Sequence, residues 1–74
     1  MIVVNFKNYK FGKVALELAK SIEKNLGKVV VCVNFVDISE IVSNTKLKVF
    51  SQHVDLGEIG KGTGFILPEA VEQV

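Results

Sequence analysis

The 74-residue chain is shorter than a common domain of about 100–150 residues, and with 49% apolar and 23% charged residues it is not a disordered segment. Its nine basic and eight acidic residues are spread evenly and leave a net charge of +1, which argues against a nucleic-acid partner. Its longest apolar run, of five residues, is too short to span a membrane, and no His/Cys cluster has metal-site spacing. A single cysteine, Cys32, and the lack of a signal-peptide pattern favour a cytoplasmic protein.

The first half of the chain reads as a strand, a helix and a second strand. Met1–Phe6 is rich in β-branched residues and predicts a short, mostly buried strand. Lys13–Leu26 predicts a helix, because its apolar residues recur at spacings of three and four. Gly27 stands where a left-handed residue commonly ends a helix, and Lys28–Val33 predicts a second buried strand.

The second half predicts a short helix, a third strand, a loop and a last helix. Asp37 or Ser39 could cap the short helix, at about 39–43. Leu47–Ser51 predicts the third strand, and Gln52–Gly64, with four glycines, predicts a loop. Pro68 suits the first turn of a final helix over 68–73.

The element order β-α-β-α-β-loop-α is typical of a parallel sheet joined by right-handed crossovers, and nothing indicates a second domain. Three parallel strands are an incomplete fold, because their open edges and faces need covering. The sequence also ends at Val74 within a predicted helix. We therefore expect residues 1–74 to be the first part of a larger α/β protein.

Several segments together resemble triosephosphate isomerases. Val3–Tyr9 contains an Asn-x-Lys pattern similar to the end of the family's first strand, and Val49–Asp55 is similar to the third strand of its archaeal branch. Phe35–Asp37 is similar to the family's turn into its second helix, and Gly62–Gly64 and Leu67–Val71 follow the third strand in the family's order. No one of these motifs is specific, but their order and spacing together cover essentially the whole chain.

The resemblance implies a partial TIM (β/α)8 barrel, with residues 1–74 as about the first three βα units and the N-terminal portion of one barrel domain. It implies an aldose–ketose isomerase that interconverts dihydroxyacetone phosphate and glyceraldehyde 3-phosphate in glycolysis and gluconeogenesis. The family uses no metal or organic cofactor, so the expected partners are a phosphorylated triose and further copies of the chain, in a homodimer or homotetramer.

The resemblance also implies roles for individual residues. Lys7 is the expected catalytic residue, and Asn5 and Lys7 are the expected substrate-binding pair. Because alternate residues of a strand share a face, an amide and an ammonium two residues apart can point to one small anion. An ordinary strand end that becomes polar at the solvent would look the same. Gln52 and Thr63 are expected at the interface between subunits.

The family's catalytic histidine and glutamate belong to later segments that this sequence does not contain. The resemblance therefore implies that the chain alone is inactive. His53, the only histidine, is expected to serve packing or an interface and is not expected to replace the missing electrophile.

Other readings of the sequence remain open. A non-catalytic αβ module that associates through its sheet edges is one alternative, and the start of another phosphate-binding βα barrel is a second. The glycine-rich Gly60–Gly64 fails as a phosphate-binding P-loop, because Gly62 follows Lys61 where Ser or Thr is needed and Asp55 replaces the first glycine.

Overall fold

The computed structural model describes all 74 residues, and its one sheet has three parallel strands. They are β1 (Val3–Asn5), β2 (Val30–Val33) and β3 (Lys48–Ser51), in the spatial order β1-β2-β3. Each strand is thus hydrogen-bonded to the next one in the sequence, and both pairings are parallel. This confirms the predicted parallel sheet, with strands one to three residues shorter than predicted.

The connections between the strands are helical. α1 (Gly12–Leu26) joins β1 to β2, and a 3₁₀ turn (Phe35–Asp37) followed by α2 (Ile38–Asn44) joins β2 to β3. α3 (Pro68–Glu72) ends the chain, with Pro68 in its first turn as predicted. The second helix is longer than its predicted span of 39–43, because the preceding 3₁₀ turn runs directly into it.

The sheet has one covered and one open face. The register places Val4, Val31 and Val49 side by side, and these residues contact the hydrophobic core together with residues of the helices. The neighbouring positions point to the other face, which we call the helix-free face and define by four exposed residues: Val3, Asn5, Lys48 and Phe50. Right-handed crossovers in a sheet of this order put successive helices on the same side.

The core lies between the sheet and α1 and α2. The apolar stripe of α1 contributes Ala15, Ala19 and Ile22, and α2 contributes Ile38 and Ile41. Val31, Val33 and Ile41 are completely buried at the centre. The three-and-four spacing recognised in α1 is therefore the spacing of its buried face.

The prediction that the first strand is mostly buried is wrong. Val3 is 54% exposed and Met1 and Ile2 are exposed as well, whereas Phe6, just after the strand, is buried. β1 is an edge strand, and its helix-free side has no layer packed against it. Runs of apolar residues show that a strand is suited to burial on both faces, but neighbouring elements decide whether both faces are covered.

The segment between β3 and α3 has no helix or strand, as predicted, and most of it is exposed. Its ends are joined at Asp55, whose amide donates to the Ile66 carbonyl oxygen (2.7 Å) and whose Oδ2 accepts from the Ile66 amide (2.8 Å). None of the helices has the length and apolar character that crossing a lipid bilayer requires.

Candidate active site

Lys7 has an unusual backbone. β1 ends at Asn5, and Lys7 has a φ of 51°, the one positive φ among the non-glycine residues. A tight turn follows, in which the Tyr9 amide donates to the Phe6 carbonyl oxygen (3.2 Å). The simple alternation that put the Asn5 and Lys7 side chains on one face of a strand therefore stops before Lys7, because its backbone is not extended.

Asn5 contacts Lys7 through the main chain of Lys7. Asn5 Oδ1 accepts a hydrogen bond from the Lys7 amide at 2.8 Å. A side-chain amide that bonds the backbone two residues later is a common way to fix a turn. The structure thus links these two sequence-predicted site residues, and the link sets the backbone where the lysine emerges.

Gln52 contacts the carbonyl group of Lys7, whereas Asn5 contacts its amide. Its Nε2 donates to the Lys7 carbonyl oxygen at 2.6 Å, although it follows β3 and Lys7 follows β1. The interface role expected for Gln52 stays a prediction, and within the chain its side chain bonds Lys7. The polar groups of the Lys7 main chain are thereby both satisfied by side chains.

A small cavity of about 270 Å³ lies at the carboxyl ends of the strands. It is lined by residues at the end of a strand or after one, from all three strands, together with Ile66: Asn8, Asn34, Phe35, Ser51, Gln52, His53 and Ile66. Asn5 and Lys7 do not line this cavity or any of the other four. Carboxyl ends of parallel strands are the usual position for binding sites in α/β proteins. Lys7 directly precedes Asn8, which is one of the lining residues.

The charges near this edge are few. Lys7 is exposed and has no carboxylate within ion-pair distance. No three residues among His, Cys, Asp and Glu are grouped so that they could hold a metal ion. An unpaired exposed ammonium on a fixed backbone is suited to attract a small anion.

His53 is exposed, and its Nε2 lies 3.6 Å from Oδ2 of Asp55. The side chain of His53 is 59% exposed, so it does not pack inside this chain, and the expected alternative of an interface role stays a prediction. Thr63 is also exposed, in the loop before α3, and its hydroxyl has no hydrogen bond within the chain. Neither residue is brought to Lys7 by a hydrogen bond.

Asp37 has a role that local sequence did not indicate. The sequence predicts it as one possible cap of α2, yet its side chain makes no bond to that helix and accepts instead from the Gly12 amide, 25 residues earlier (2.8 Å). No pattern within a short window could predict this contact. Only a polar residue within an apolar turn marks the position.

Comparison with known proteins gives a consistent result. The family model described as triosephosphate isomerase matches residues 1–74. The triosephosphate isomerase of Sulfolobus acidocaldarius is 41% identical over 78 residues, which is 97% of this chain and 34% of that protein. Those of Methanocaldococcus jannaschii and Archaeoglobus fulgidus are 38% and 37% identical, with 97% and 99% of this chain matched. The chain spans about a third of the length of these curated relatives.

Proposed function

We propose, because the chain belongs to the triosephosphate isomerase family, that residues 1–74 supply the first three βα units of a (β/α)8 barrel. The barrel would interconvert dihydroxyacetone phosphate and glyceraldehyde 3-phosphate. Three parallel strands in sequential order, with helices on one face, are what a segment of such a barrel requires, because the helices form its outer ring. The helix-free face would then line the barrel interior.

The observation that carries this proposal is the fixed backbone of Lys7. A non-glycine residue with positive φ costs of order 1–3 kcal/mol and persists where its surroundings enforce it. Here Asn5 bonds the Lys7 amide and Gln52 bonds its carbonyl oxygen. Strain of this kind is concentrated at functional sites, and Lys7 is also the residue to which the family resemblance gives a catalytic role.

The proposed chemistry is a proton transfer between adjacent carbons. Removing a proton beside the substrate carbonyl creates an enediolate, whose negative charge an ammonium can stabilise. We assign this electrostatic role, together with attraction of the substrate phosphate, to Lys7. Asn5 would donate its side-chain N–H groups to the substrate while its Oδ1 stays on the Lys7 amide.

The remaining catalytic groups would come from the rest of the barrel. The reaction needs a carboxylate base and a neutral histidine that polarises the carbonyl, and triosephosphate isomerase is the standard illustration of this pair. His53 is not a candidate, because it follows β3 and bonds no other site residue. Lys7 alone can orient and stabilise charge, but it does not complete the reaction.

Assembly into a homodimer or homotetramer is part of the same proposal. Thr63 is available for a neighbouring subunit, because it is exposed and its hydroxyl has no partner within the chain. Gln52 is partly buried and uses its amide nitrogen on Lys7, which leaves its Oε1 for a contact across an interface. Neither contact involves the ammonium of Lys7.

One observation favours a second candidate, a non-catalytic module that associates with itself. The helix-free face leaves Val3 54% and Phe50 51% exposed, and apolar surface of this kind needs a cover. The rest of a barrel and a second copy would both provide one. Reading the coding sequence beyond Val74 separates the two, since the barrel requires an Asn-His-Ser-Glu segment within about 20 residues, the length of one helix and its loop.

The proposal is tested with a hybrid barrel, in which this chain replaces the matching N-terminal third of the Sulfolobus acidocaldarius enzyme. We expect the hybrid barrel to isomerise triose phosphates, because the donor protein supplies the base and the electrophile. A folded hybrid barrel without activity would contradict the proposal. A second hybrid with Lys7→Ala must then lose most of its activity, while one with the exposed loop lysine changed, Lys61→Ala, must keep it.

A further inference from the structure

Asp37 is the one polar or charged residue among the twelve buried residues, with 6% of its surface exposed. Its Oδ1 accepts a hydrogen bond from the Gly12 amide at 2.8 Å, and its Oδ2 has no partner. Burying a carboxylate with one oxygen unsatisfied is costly.

The Gly12 amide belongs to a helix end that lacks a cap of its own. The first amides of any α-helix have no partner within the helix, and Ser, Thr, Asp or Asn usually precedes it to bond one of them. α1 is instead preceded by Phe11, which makes no side-chain bond, and its first turn has no acidic residue. Asp37 therefore supplies from another βα unit both the missing acceptor and the negative charge that a helix amino end favours.

Asp37 is free for this contact because its own turn is fixed by other groups. Asn34 Oδ1 accepts from the Val36 amide (3.2 Å), and the Asn34 carbonyl oxygen accepts from the Asp37 amide (2.9 Å). The turn after β2 is thus closed without the carboxylate. Of the charged residues that share a cavity with Asp37, Lys13 lies on α1 and Glu40 lies on α2.

The cap acts at one end of the segment that carries Lys7. The Lys7 carbonyl oxygen is held by Gln52 from the third βα unit, and the Gly12 amide is held by Asp37 from the second. Gly12 has a φ of 66°, a conformation suited to glycine, at which the chain turns into α1. Five peptide bonds separate the two fixed points, and the turn closed by the Tyr9 amide and the Phe6 carbonyl oxygen overlaps this short segment.

We propose that Asp37 is a positioning residue for Lys7, acting as a tertiary cap that fixes the amino end of α1. The inference rests on the proposed isomerase function for its catalytic consequence. The cap itself depends only on the contact between Asp37 and Gly12. In this proposal's terms Asp37 is a positioning residue because it touches no substrate and acts through the backbone of residues 7–12.

The first experiment measures amide hydrogen exchange in the hybrid barrel by NMR. We expect the Gly12 amide to exchange about 10–100-fold more slowly than those of Lys13 and Val14, which are first-turn amides without an acceptor, since a bond to a carboxylate is among the stronger ones. Equal exchange at the three positions would overturn the cap. This readout needs no variant and no enzymatic activity.

The second experiment compares three variants of the hybrid barrel. Asp37→Ala removes the acceptor, and we expect kcat to fall about 10–100-fold with KM changed less, because a misplaced group loses transition-state interactions. Asp37→Asn keeps an acceptor oxygen for Gly12 and should restore most of kcat. Ile41→Val is the matched control, which loosens the core without touching the loop and should lower the urea midpoint while leaving kcat intact.

The outcomes separate this inference from the proposed function. An inactive but folded hybrid barrel contradicts the proposed function, and exchange at Gly12 then decides the cap by itself. In an active hybrid barrel, a protected Gly12 with an unchanged kcat in Asp37→Ala would overturn the positioning role. If Asp37→Ala does not fold, the test is made with Asp37→Asn. A kcat of Asp37→Asn as low as that of Lys7→Ala would also overturn the positioning role.

Discussion

Gln52 Nε2 lies 2.6 Å from the carbonyl oxygen of Lys7, although 45 positions separate these residues in the sequence. β2 lies between their strands, so the side chain of Gln52 spans the carboxyl edge of the sheet. Together with the bond from the Lys7 amide to Asn5, it fixes the backbone of the only non-glycine residue with positive φ.

Purified 74-residue chain should not isomerise triose phosphates. Each general acid or base contributes about 10²–10⁴-fold, and positioning by Lys7 and Asn5 does not replace them. A coupled assay of dihydroxyacetone phosphate formation measures this, with chain expressed in a host that lacks its own isomerase. Turnover that co-purifies with the chain and disappears in Lys7→Ala would contradict the prediction.

Lys7→Ala in the hybrid barrel should lower kcat by about 10²–10³, the usual cost of removing one preorganised group that stabilises developing negative charge. The far-ultraviolet circular dichroism spectrum should not change, because the Lys7 side chain is exposed. Lys61→Ala provides the control for loss of one positive charge. Collapse of the circular dichroism signal in Lys7→Ala would show that the lysine is structural.

Gln52→Leu in the hybrid barrel should lower kcat about 3–10-fold, the equivalent of one ordinary hydrogen bond. The change leaves the Lys7 carbonyl oxygen without its partner and removes one constraint on the positive φ of Lys7. Gln73→Leu, at an exposed residue near the end of the chain, is the matched control. Equal kcat values for the two variants would show that the contact of Gln52 with Lys7 has no catalytic consequence.

The isolated chain should associate with itself in sedimentation experiments. β3 has an unpaired edge, and Phe50 on the helix-free face is half exposed. Phe50→Glu should shift the distribution towards monomer, because it places a charge on the surface to be buried. Leu56→Glu, in the exposed loop, should not. A monodisperse monomer of the unchanged chain at high concentration would rule out this association.

Ile41→Val should destabilise the protein by about 0.5–1.5 kcal/mol, because it removes one buried methylene from the centre of the core. A chain of this size has only a few kcal/mol of net stability, so the change should be plain in urea unfolding followed by circular dichroism. Val42→Ala, at the 40% exposed neighbour, is the control and should change stability by less than about 0.5 kcal/mol. Equal losses would mean that α2 does not pack as described.

The order of the elements and the stripe of α1 were predictable because they are local. Apolar residues that recur every three or four positions bury one side of a helix whatever lies beyond it, and β-branched runs favour strands. The positive φ of Gly27 (74°) was likewise predictable, since glycine tolerates it after a last helical turn, although its ψ of −117° lies outside the left-handed helical region. Asn5 and Lys7 were singled out by their spacing and by a family resemblance.

What the sequence determined by itself is the alternation of strands and helices, the buried stripe of α1 and the presence of an amide at the end of β1 with an amine two residues later. The tertiary structure alone decided three other features: the exposure of one face of β1, the contact of Gln52 with Lys7 and the contact of Asp37 with Gly12. The reason is physical. Propensity and periodicity act over a few residues, whereas a buried carboxylate or a side-chain amide finds its partner only when the sheet has brought distant turns to one edge.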